Sequence, residues 1–178
     1  LVYGGMRILF LTPDLSDYSS AFYQWDVYER LQAAHDIFEY GPGFDGYDRT
    51  DDVHDILEKC PVSPDVLCLG HGWLGDDPAE LVTRNKRLYL DEADVPTVLL
   101  LNKVYRNFEE KIDFACANDV DLVFTHHHDA KTWEQQYDLP FVFWPFAVNS
   151  DRFRDYGEPR RYDLAFSGIL RNPDPTVP

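Results

Sequence analysis

Gly70-His71-Gly72-Trp73 sets an imidazole between two glycines and beside an indole. Glycines let a ligand come close to the backbone. An imidazole can hydrogen-bond or take a proton near neutral pH, and a Trp face suits stacking on a sugar or a base. A tight turn with a structural histidine and a core tryptophan is the competing reading. Asn102-Lys103-Val104-Tyr105-Arg106 offers an amide, an ammonium, a phenol and a guanidinium in succession. Lys103 and Arg106 stand out in an acidic chain as partners for an anionic ligand group, and surface ion pairing is the plainer account of both. His126-His127-His128 raises the question of a metal. Side chains alternate along an extended chain, so His126 and His128 can share a face that His127 cannot. No neighbouring acid or cysteine makes an obvious complete ligand set, so the expectation is a polar cleft wall and no metal. Asp14 and Asp17, in Thr12-Pro13-Asp14-Leu15-Ser16-Asp17, are carboxylates able to accept a proton from a hydroxyl. Turn formation and helix capping explain them without chemistry.

These residues gain meaning from the elements that carry them. Apolar strand runs alternate with amphipathic stretches along the chain. Strands are expected at 7–12, 37–40, 66–69, 97–101, 122–125 and 141–144. Helical spacing links Ala21, Trp25, Tyr28 and Leu31 behind the capping candidates Ser19 and Ser20, and then Val53, Ile56, Leu57 and Cys60. Asp77-Pro78-Ala79-Glu80 has the cap, early proline and acid of a helix start. Asn107 with Glu110 opens a helix whose Phe108, Ile112 and Ala115 share a face, and Asp129 caps one carrying Trp133 and Tyr137. Strands without polar alternation, set between such helices, predict an α/β domain: a Rossmann-like parallel sheet with helices on both faces. The domain is expected over residues 6–148, with 1–5 upstream of it. A linker follows at 149–161, and the first strand of a second, truncated domain falls within 162–178. In open α/β sheets ligands bind at the carboxyl ends of the strands. Asp14, His71, Trp73, Asn102, Lys103, Arg106, His126 and His128 all fall at such ends.

Composition narrows the partners. Sixteen Lys and Arg against thirty-two Asp and Glu give a net charge of −16 over 178 residues. Such a surface repels phosphate backbones and anionic lipid, which argues against nucleic-acid or membrane binding. Asp outnumbers Glu and Arg outnumbers Lys, a balance suited to solubility in high salt. No apolar run reaches the ~20 residues that span a bilayer, and the first residues lack the character of a signal peptide. Cys60, Cys68 and Cys116 are odd in number and have no CxxC spacing. They are expected to be reduced, with Cys68 and Cys116 buried, in a cytoplasmic protein.

There is no P-loop, no G-x-G-x-x-G after the first strand and no G-x-S-x-G elbow. Three segments do carry a likeness: Met6-Arg7-Ile8-Leu9-Phe10-Leu11, the run from Trp144 through Pro145 to Asp151 and Phe153, and Tyr162-Asp163-Leu164-Ala165-Phe166-Ser167-Gly168. Together they resemble the opening strand, the interdomain segment and the start of the second domain in GT-B glycosyltransferases of group 1 and family 4 type, including CgeB-like members. The resemblance implies transfer of a sugar from a nucleotide-sugar donor to a glycan or small-molecule acceptor, without a further cofactor. It makes this chain mainly the acceptor-side half, not competent alone because the donor is held largely by the second domain. It implies His71, Asn102 and Asp14 in catalysis, and Trp73, Lys103, Arg106, His126 and His128 along the cleft. Two departures stand out. Many retaining members carry a histidine after the fourth strand, where this chain has Asn102-Lys103, and a glycine-rich loop after the first, where it has Thr12 to Asp17. A non-enzymatic carbohydrate- or nucleotide-binding domain and a sugar-nucleotide epimerase of the same architecture are the alternatives.

Overall fold

The computed structural model describes residues 5–16, 22–75, 88–145, 150, 151, 155, 157 and 159. Ser19, Ser20, the helix start at Asp77 and the strand expected at 162–166 lie outside the described residues. The chain divides into two compact units, Leu1–Ala147 and Val148–Pro178.

The first unit runs β1 (Arg7–Leu11), α1 (Phe22–Gln32), β2 (Asp36–Tyr40), α2 (Val53–Lys59), β3 (Val66–Leu69), a 3-10 turn (Leu90–Glu92), β4 (Thr97–Leu101), α3 (Phe108–Ala117), β5 (Leu122–Thr125), α4 (Ala130–Tyr137) and β6 (Phe141–Phe143). The six strands form one sheet in the order β2-β1-β3-β4-β5-β6, and every pairing is parallel. This is an α/β, Rossmann-like arrangement.

Strand alternation sorts the core into two layers. Leu9, Leu11, Leu67, Leu69, Leu99, Leu101 and Val123 meet Val53 and Ile56 of α2, Ile112 and Ala115 of α3 and Ala130 of α4. On the opposite face Ile8, Phe10, Cys68 and Leu100 meet Tyr28 and Leu31 of α1. A helix after a leftward crossover and helices after rightward ones must lie on opposite faces when crossovers are right-handed. The division of α1 from α2, α3 and α4 follows that rule.

Three details differ from expectation. Asn107 and Asp129 precede their helices but make no side-chain cap bond. Asn107 is left-handed at φ 48°, whereas a capping side chain reaches the first turn from extended backbone. The Asp129 carboxylate is turned toward His127 and His128 instead. A full capping box forms at α2, where Asp52 accepts from His54 and Asp55 N–H groups and Asp55 accepts from Asp52 N–H. Cys116 is exposed and Cys60 half-buried, so only Cys68 of the three is buried. Cys116 lies on the outward side of α3, between the buried Ala115 and the exposed Ala117.

Candidate functional site

Sheet order reverses where β1 lies between β2 and β3. The chain leaves β1 toward one edge and later crosses back over it, so the loops after β1 and β3 diverge and leave a crevice at their carboxyl ends. A small pocket open to solvent lies there, with Phe10, Thr12, Tyr28, Glu39, Phe44 and His71 in its wall. Register explains the gathering. Phe10 pairs with Glu39 of β2 and with Cys68 of β3, and parallel partners present side chains to the same face. Tyr28 of α1 closes over that face, its ring 5.7 Å from that of Phe10.

His71 follows β3 in a turn closed by Trp73 N–H donating to Gly70 O at 3.0 Å. Its ring stacks on His126, with centroids 5.5 Å apart and planes 11° apart, and on Trp144 at 5.9 Å. His126 is held by its Nδ1, which donates to the Trp144 carbonyl at 2.6 Å. That fixes the tautomer with the proton on Nδ1. Burial, and then the like charge of His126, push His71 down to about 4. It is a neutral imidazole at physiological pH, fit to bind and orient a hydroxyl and a weak proton acceptor.

The other residues singled out in the sequence scatter. Trp73 is 4% exposed and packs in the core, so it offers no face for stacking; its Nε1 has no hydrogen-bond partner among the described residues. A Cβ on Gly70 would come within 2.9 Å of the Phe10 ring, and one on Gly72 within 2.9 Å of Pro13. The two glycines therefore let the β1 loop pack on this turn, where the sequence suggested ligand approach. Asp14 accepts from Ser16 N–H at 2.9 Å in an Asx turn. Hydrogen bonds from Ser16 hold its carboxyl below the ordinary range, which weakens it as a base.

Asn102, Lys103 and Arg106 form a separate group after β4. Lys103 N–H donates to Asn102 Oδ1 at 2.9 Å, and Arg106 N–H to the Lys103 carbonyl at 3.0 Å. Beneath them lies a residue the sequence did not mark. Lys111 of α3 is 1% exposed, and its Nζ donates to the carbonyls of Asn102 at 3.0 Å and Lys103 at 3.5 Å. It sits between exposed Glu110 and buried Ile112. The residue type conceals its role, although its helical spacing to Phe108 and Ala115 was visible.

His126 and His128 do not share a side. β5 ends at Thr125, and the chain turns at once toward α4, so strand alternation stops. His126 joins His71 and Trp144, while His127 stacks on Trp133 at 4.9 Å and on His128 at 4.5 Å. His127, His128 and Asp129 instead bring ligand-type atoms within 4.8 Å of one another. Glu39 and Phe44 also escaped the sequence reading, and Tyr28 was read only as part of a helix face. Glu39 was visible only as an acid in an otherwise apolar strand, and its place opposite Phe10 depends on register.

The chain matches no family model, no curated protein and no solved structure. No helix among the described residues is long and apolar enough to cross a membrane.

Proposed function

We propose that this chain is the acceptor-side half of a GT-B glycosyltransferase, using a nucleotide-sugar donor and a glycan or small-molecule acceptor. One observation carries the reading: the pocket at the β1–β3 reversal combines the neutral His71, Thr12 and Glu39 with the rings of Phe10, Tyr28 and Phe44. Aromatic walls with a few polar groups suit a sugar, whose faces are apolar and whose rim is hydroxyl. The sequence likeness at Met6–Leu11 supports the same reading. The likeness at 146–149, 152–154 and 162–168 lies outside the described residues. In this account His71 and Thr12 position the acceptor, and stabilisation of the departing diphosphate falls to groups elsewhere.

A second reading has an observation in its favour. Asp14 and His71, the two candidate bases, both titrate below their ordinary ranges, which suits binding without turnover. The test is to incubate the product of the intact reading frame with a panel of nucleotide sugars and acceptors and to follow donor loss and product mass. A glycosylated product, reduced in His71→Ala, is expected. Saturable binding without turnover replaces the transferase with a binding domain, and an epimerised donor formed without acceptor replaces it with an epimerase.

A further inference from the structure

Glu39 brings a carboxylate into a wall that is otherwise apolar or neutral. Its sheet face is shared with Ile8, Phe10, Cys68 and Leu100, and the wall around it includes the rings of Phe10, Tyr28 and Phe44. Among the described residues no Lys or Arg pairs with it. The Tyr28 hydroxyl, which accepts from Gln32 Nε2 at 2.7 Å, shares the wall with it. His71 is uncharged at neutral pH, and burial raises the Tyr28 phenol, so it is uncharged as well. The pocket therefore carries one carboxylate beside aromatic side chains.

We infer that this pocket receives an ammonium group, seated on the Glu39 carboxylate beside the half-buried Phe44 ring. A carboxylate supplies a charge-assisted acceptor, and ring faces attract a cation through their quadrupoles. The −16 charge of the whole chain draws cations toward the opening and turns phosphate away. The diphosphate of a donor is excluded from this wall. The ligand is then an amine, and its being an amino sugar rests on the transferase reading above.

The experiment is equilibrium binding at pH 6.5 of glucosamine and of N-acetylglucosamine, which lacks the charge, to the protein and to Glu39→Gln. Donor consumption is followed in parallel with the product of the intact reading frame and the panel of nucleotide sugars. Glucosamine is expected to bind about tenfold more tightly, the scale of one charge-assisted hydrogen bond. Glu39→Gln is expected to bring the two ligands level with its circular dichroism unchanged. Phe44→Leu, which keeps the carboxylate, is expected to reduce the preference and serves if Glu39→Gln does not fold. Equal binding of the two sugars, no binding of either, or a preference that survives both substitutions overturns the ammonium site. An amine preference without donor consumption keeps the site and removes the transferase, and transfer without an amine preference does the reverse.

Discussion

His71 is confined between the His126 ring and the Trp144 indole, where burial and the like charge of His126 push it from 6.5 to about 4. The sign of the consequence follows from linkage. Above about pH 6.5 both folded and unfolded chains hold this ring neutral, and it contributes no pH dependence. As pH falls from about 6.5 toward about 4, the unfolded chain takes up the proton first and stability drops, by at most ~3 kcal/mol. Below about 4 the folded state is protonated as well and the loss levels off. His71→Gln is expected to flatten this part of the profile relative to wild type, as read by urea midpoints at pH 7, 5.5 and 4.5. Parallel slopes for the two proteins would remove the His71 imidazole from the account. His71 was legible in the sequence because glycines and a strand end frame it. Trp73, two residues on, looked equally suited to a ligand, yet only the packing against Tyr40, Leu74 and the rest of that core layer shows which face the indole takes.

Elements were the most legible scale, because apolar runs of strand length between amphipathic helices leave few alternatives. β3, β4 and β5 fall on the residues expected, and β1 and β6 each stop one residue short. Helix starts were less legible, since a capping residue works only when its backbone is extended. Asp52 meets that condition at φ −97°, and Asn107 at φ 48° does not. Asp52→Ala is expected to cost about 1 kcal/mol in chemical denaturation, whereas Asn107→Ala should lack the loss of a cap bond. Lys111 ties α3 to the end of β4 through the Asn102 and Lys103 carbonyls, beside Lys103 in the left-handed region at φ 50°. Removing the donor leaves those part-buried carbonyls without it. Lys111→Met is therefore expected to cost ~1–3 kcal/mol and to speed amide exchange in the loop of 102–107. Unchanged stability and exchange would show that Lys111 does not hold this loop.

At the scale of the whole chain, composition gave the charge and strand order gave the location of the pocket. The −16 charge opposes compaction through self-repulsion, and salt shortens the reach of that repulsion from ~10 Å at 0.1 M to ~3 Å at 1 M. The urea midpoint is expected to rise between 0.1 M and 1 M NaCl, and a flat or falling midpoint would mean that repulsion does not limit stability. Strand order itself could not be read from the sequence. Alternation of strands and helices fits several orders, and only the order β2-β1-β3 sets Glu39 and His71 on either side of Phe10. The proposed ligand site lies at that reversal, away from the Asn102–Arg106 loop and from His127–Asp129. An amide NMR footprint of UDP-glucose with glucosamine tests the assignment most directly. Shifts concentrated on Thr12, Glu39, Phe44 and the Gly70–His71 amides are the predicted result. Shifts confined to residues 102–107 or 127–129, or none at saturation of the probes, would contradict it.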